Sequence, residues 1–196
     1  VDKSEKSYAK YVNPFIGTGG HGHTYPGATV PFGMLQVSPD NGVSEWDWCS
    51  GYHYSDSVTI GFSHLHLSGT GIGDLGDIRF MPINKTVNLA KAIKTREDIP
   101  YKSNYSHKQE TAEAGYYSVF LEDHNINAEL TSDLRTAFHQ YTFAENDMQS
   151  VIIDLGYAFN WDKPELTQIT IVDKFTVSGY RHSTGWAKNQ KVFFVA

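Results

Sequence analysis

The sequence predicts an all-β protein: a β-sandwich of two mainly antiparallel sheets, with long glycine-rich loops at one end. Three observations carry this. From Gly115 onward, YYSVFLED, INAELTSD, TAFHQYTF, SVIIDLG, LTQITIVD, KFTVSGYR and KVFFVA follow one another with turn residues between them. They recur roughly every ten residues, the rhythm of sandwiches and barrels. Aromatic residues make up 14% of the chain, and aromatic side chains favour strands. No stretch combines 3.6-residue periodicity with caps, and residues 86–98 are only a poor helix candidate.

Taken in order, residues 1–12 form a polar lead-in, and Pro14 interrupts any regular run. Residues 15–29 are a glycine-rich loop. PFGMLQVSP (Pro31–Pro39) reads as a strand buried on both faces. Asp40-Asn41-Gly42 reads as a turn. Residues 43–75 are mostly loop, with short strand candidates at Ser57–Phe62 and His64–Leu67, and Gly76–Ile83 reads as a strand. Residues 84–108 are polar and aperiodic, an insertion or a meandering edge. Asp123-His124-Asn125 and Asp173-Lys174 are expected to be hairpin turns. QKVFFVA (Gln190–Ala196) reads as a strand without a following turn, which suggests a piece of something longer.

Length and composition set bounds. A chain of 196 residues without repeats or low-complexity linkers reads as one domain. The formal charge of −6 argues against nucleic acid, which needs a basic surface. The single cysteine, Cys49, excludes an internal disulfide framework. No run is long and apolar enough to span a membrane, and no signal peptide is visible, although the polar start fits a processed product.

The chemistry-bearing residues cluster early. Thirteen of the 17 glycines lie between Gly17 and Gly76, and five of the nine histidines between His21 and His66. Glycine permits close backbone approach, while His and Trp add hydrogen-bonding edges and flat faces. Together they suggest a surface for a small polar ligand. His21-Gly22-His23 and His64-Leu65-His66 place two imidazoles on one face of a strand, as a metal site would. Neither has a zinc spacing, so hydrogen bonding to loop backbone or ligand is the better reading. Asp74 and Asp77 have the residue types of a carboxylate pair, but aspartates among glycines more often accept loop N–H groups. Trp46 and Trp48 flank Asp47, so one is expected to be core and the other an exposed stacking platform. Gly17-Thr18-Gly19-Gly20 lacks the GK[ST] of a phosphate loop, and Cys49 reads as a small buried thiol.

VNPFIGTGGHGHTYPGATVPFGMLQVSPD, WDWCSGYHYSD and GFSHLHLSGTGIGDLGDIRFMP, with AGYYSVFL, INAELTSDLRTAFHQYTF and SGYRHSTGWAKNQKVFFV, resemble glycoside hydrolase family 92 in order and combined length. This is the family of calcium-dependent exo-α-mannosidases. The resemblance implies that residues 1–196 are the N-terminal β-sandwich domain of a longer enzyme. That enzyme's catalytic (α/α)6 barrel would lie outside this chain, with the active site in the crevice between the two. General acid, general base and most or all calcium ligands are then expected on the barrel, so no catalytic or metal residue is assigned here. The implied reaction is inverting hydrolysis of terminal α-mannosides. The implied setting is a bacterial periplasm or secretion, with a mannose-containing glycan and the barrel as partners. As substrate-binding residues, Phe15, Gly17, Thr18, Gly19, Gly20 and His21 would form one wall, with Trp46 or Trp48 as aromatic contact. His64, His66, Ser68 and Asp74 come second. The competing readings are an autonomous carbohydrate-binding module without catalysis and a purely structural sandwich.

Overall fold

The computed structural model describes residues 8–145 and 148–196; the first seven residues of the polar lead-in lie outside them. It contains β-strands and four single-turn 3₁₀ segments. One sheet has five strands in the order β1 (Ala28–Thr29), β2 (Gln36–Asp40), β4 (Gly61–Ser63), β5 (Arg79–Ile83) and β11 (Ser150–Asp154). A second has four, in the order β10 (Ala137–Phe143), β9 (Ile126–Ser132), β8 (Tyr116–Leu121) and β7 (Glu110–Glu113). Every pairing is antiparallel.

Alternation in sequence becomes a buried face. Tyr117, Val119 and Leu121 on β8 stand opposite Leu130, Ala128 and Ile126 on β9, and all six are at most 1% exposed. They pack with Val37, Phe62, Met81 and Ile83 of the five-stranded sheet in one core. The expected sandwich is therefore present. The last three strands, β12 (Lys163–Ile171), β13 (Val177–Thr184) and β14 (Gln190–Val195), form a separate sheet instead of extending either layer. A two-stranded pair joins β3 (Val58–Thr59) to β6 (Ser103–Asn104).

The early chain departs from expectation in several places. The strand read at His64–Leu67 is reduced to an isolated bridge between His66 and Leu75, and the one read over Gly76–Ile83 begins only at Arg79, after Gly76 and Ile78 at positive φ. The strand read over Pro31–Pro39 begins only at Gln36, because Phe32 has φ +60° and Gly33 N–H bonds Val30 O to close a turn. Pro39 is tolerated because β1 pairs no further than Val37, so its missing N–H breaks no ladder bond. Asn41 is not at a surface turn. It is fully buried, donates to Val58 O at 2.7 Å and accepts from His53 N–H at 2.7 Å. Residues 86–98 form no α-helix: only Arg96–Asp98 makes a 3₁₀ turn, held by a Thr95–Asp98 capping box. Both expected hairpin turns are present, with Asn125 at φ +52° in one and Val172 N–H bonding Thr176 O in the other.

Candidate loop-end binding site

Three loops converge at one end. The first, residues 17–24, folds back on itself: Thr24 N–H donates to Gly17 O, and a side chain at Gly22 would stand 2.0 Å from that oxygen. Only glycine permits that approach. The second is the 3₁₀ turn Trp46–Trp48. The third, residues 68–71, is tied to the first by Gly69 N–H donating to His23 O at 2.7 Å. At Gly71 (φ +68°) a Cβ would lie 2.9 Å from Trp46 Nε1, so glycine lets the indole rest on this loop.

Asp47 is the hub. Its Oδ1 accepts from His21 Nδ1 at 2.7 Å and faces His23 Nε2 at 3.4 Å. The His21 hydrogen bond, helped by His23, lowers the Asp47 carboxyl below its ordinary value. With Nδ1–H committed to Asp47, neutral His21 presents Nε2 as an acceptor on an exposed ring. Trp46 is 54% exposed, and His23 stands edge-on to it at 4.2 Å. An indole face, an imidazole nitrogen and glycine backbone thus share one surface, the combination that a polyhydroxylated ring needs.

Of the residues read from sequence, Gly17, Thr18, Gly19, Gly20, His21, Trp46 and Ser68 lie on these loops. Thr18 is buried and structural: its hydroxyl donates to Phe15 O, and its carbonyl accepts Tyr54 N–H. Phe15 meets Tyr54 edge-on at 5.6 Å beside them. Trp48 is the inward tryptophan: it donates to Asp56 Oδ2 at 3.0 Å and packs on His53. His66 is sealed, its Nδ1 against Gln36 O and its Nε2 against Asp40. His64 lines a separate groove with His139. Asp74, 3% exposed, accepts Trp186 and Ala187 N–H at 2.9 and 2.8 Å. His23 and Asp47 join this candidate site although the sequence reading of the sugar wall did not include them; His23 completes the His-x-His motif and Asp47 sits between the tryptophans.

The sequence profile of the glycosyl hydrolase family 92 N-terminal domain matches residues 11–196. The chain belongs to glycosyl hydrolase family 92. A family GH92 α-mannosidase from Bacteroides thetaiotaomicron, solved with mannoimidazole, is 40% identical with a TM-score of 0.89; the match covers 95% of this chain and 24% of that one. An inverting family GH92 mannosidase of the same species is 30% identical with a TM-score of 0.71, over 91% of this chain and 23% of its own. An uncharacterized secreted glycosidase of Arthroderma benhamiae is 30% identical over 159 residues, 77% of this chain and 20% of that protein. The family 92 chain described here thus spans about a quarter of the solved relatives and a fifth of the curated one.

Calcium requires a shell of oxygen ligands, and the buried carboxylates among the described residues have other partners. Buried Asp40, Asp77 and Asp162 pair with Arg79 or Arg181 and Asp56 with Arg96, while Asp74 accepts backbone N–H groups and Glu110 is met by Tyr52, Tyr117 and His107. Asp47 is surrounded by imidazoles. Among the described residues, no three His, Cys, Asp or Glu are grouped to hold a metal. No helix among them is long and apolar enough to cross a membrane.

Proposed function

We propose that this domain is the sugar-binding wall of an exo-acting α-mannosidase that hydrolyses terminal α-mannosides with inversion. The observation that carries this is the meeting of His21, His23 and Trp46 around Asp47 at the convergent loop end. The half-exposed Trp46 face stacks on the apolar C–H face of the sugar. His21 Nε2 takes a hydroxyl hydrogen bond while Asp47 fixes the ring. The glycine loop lets backbone approach the remaining hydroxyls. General acid, general base and calcium ligands belong to the remaining part of the longer protein, an (α/α)6 barrel that closes the crevice. The related α-mannosidases support the substrate class, and the secreted fungal relative supports export, periplasmic or secreted.

The test is steady-state kinetics of the full-length enzyme on an α-mannoside. Trp46→Ala and His21→Ala are each expected to lower kcat/KM by ~10-fold or more, about 1.4 kcal/mol of transition-state binding. If both leave kcat/KM unchanged, the loop end is not a sugar wall.

A further inference from the structure

Phe32 has φ +60° and a relative exposure of 104%. A bulky side chain is strained in that region, and a ring wholly in solvent gains no burial in return. Of the other described non-glycine residues with positive φ, His23 and Ile78 are buried, Leu75 is partly buried, and Asn125 and Asn160 suit the conformation; Phe32 alone among them is a fully exposed apolar side chain. The strain at Phe32 is held in place. Gly33 N–H closes the turn on Val30 O at 2.9 Å, and Met34 N–H donates to Leu134 O at 2.8 Å. That second bond fixes the turn against the β9–β10 hairpin tip. Met34 and Leu134 are themselves 54% and 56% exposed. The result is an apolar knob with no charged side chain between Pro31 and Leu35. Phe32 and Ser68 line one surface hollow of about 680 Å³, so the knob stands beside the loop end.

Strain kept at a residue that benefits nothing within its own chain points to a benefit supplied by contact. An exposed aromatic flanked by apolar neighbours is the usual form of an interface anchor. We propose that Phe32, supported by Met34 and Leu134, inserts into an apolar socket on the part of the polypeptide that family members carry outside this region. The occupant follows from size: the solved relatives are about four times as long as this chain. Seated there, the ring would set the distance between the loop wall and the facing domain. The inference shares with the proposed function the presence of a second domain, but it does not depend on sugar binding.

Hydroxyl-radical footprinting and thermal unfolding of the full-length protein test it. The Phe32 ring is expected to be labelled many-fold more slowly than in the same protein unfolded in urea. Phe32→Gly is expected to lower Tm by ~2 °C or more. A ring left in solvent predicts the opposite sign, because glycine relieves the strain and removes nothing that is packed. Labelling as fast as in urea, or a Tm that is unchanged or raised by Phe32→Gly, overturns the proposal. Protection that appears only with added α-mannoside makes Phe32 a sugar platform; protection that grows with protein concentration makes the socket a second copy. Either also overturns it. None of these readouts moves the Trp46→Ala kinetics, so the two readings fail separately.

Discussion

Arg79 is 1% exposed and lies between two carboxylates, its Nε 2.8 Å from Asp40 and its Nη1 3.2 Å from Asp154. Burial pushes both carboxyls up, but Arg79 outweighs it and holds both below the ordinary range, with His66 assisting at Asp40 and Tyr101 at Asp154. Removing one partner of a buried pair leaves charge uncompensated in low dielectric. Arg79→Met is therefore expected to cost about 3–5 kcal/mol in urea unfolding at neutral pH. The pH dependence identifies the cause. Depressed carboxylates contribute stability above their unfolded value of 3.8 and lose it as pH falls through the folded value. In the variant, burial alone acts, the carboxyls rise, and acid relieves them. The gap between wild type and variant is thus widest near neutrality and narrows below pH 4; a gap constant across pH would make Arg79 a packing residue only.

Between elements, one contact ties the two sheets by histidine. His64 follows β4, His139 lies in β10, and their Nε2 atoms are 3.0 Å apart. The protons fall in one order: Tyr141 O–H donates to His139 Nδ1, His139 Nε2–H donates to His64 Nε2, and His64 Nδ1–H donates to Ile78 O. Both rings must be neutral, since a further proton has no acceptor. Burial accordingly lowers His64 to about 4 and His139 to about 3. The unfolded chain binds protons near 6.5, so the tie is complete above that value and lost as pH falls toward 4. Each ring adds up to about 1.4 kcal/mol per pH unit in that window. His139→Phe is expected to flatten the stability profile between those limits, measured as urea midpoints; an unchanged slope would mean that the pair does not titrate on unfolding. Such ties were not legible in sequence, because their partners are 75 residues apart. What could be read was periodic. β8, β9 and β10 announce themselves by alternation, whereas β7 (ETAE) hides behind charge, because its buried Glu110 is met by Tyr52, Tyr117 and His107. The loop end was visible as a concentration of Gly, His and Trp. Which tryptophan faces outward, and that Asp74 and Asp77 clamp a distant sheet, depended on Asp56, Trp186 and Arg181, which lie outside any local pattern.

For the molecule as a whole, the sandwich and the β12–β14 sheet are held by different forces. The sandwich has a continuous apolar core, while β12 is exposed along nearly all of its nine residues. What fixes the sheet is largely polar. Arg181 on β13, 1% exposed, pairs with Asp77 and Asp162 and donates to Leu155 O, while Asp74 caps the β13–β14 turn. Burial raises the Asp162 carboxyl even with Arg181 beside it, which is the sign of a weakly solvated clamp. Polar clamps with little apolar area beneath them open at lower free energy than a packed core. In the 196-residue chain, amides of β12–β14 should therefore exchange faster than those of β8 and β9 under native conditions. Arg181→Met should sharpen the contrast. It leaves Asp77 and Asp162 buried without a cation, so protection in β12–β14 should fall by ~10-fold or more while β8 and β9 keep most of theirs. Mass-spectrometric hydrogen exchange reads both sets in one experiment. Parallel loss in all five strands would mean that the clamp belongs to one cooperative unit, and that the late sheet is as integral to the core as the strands that precede it.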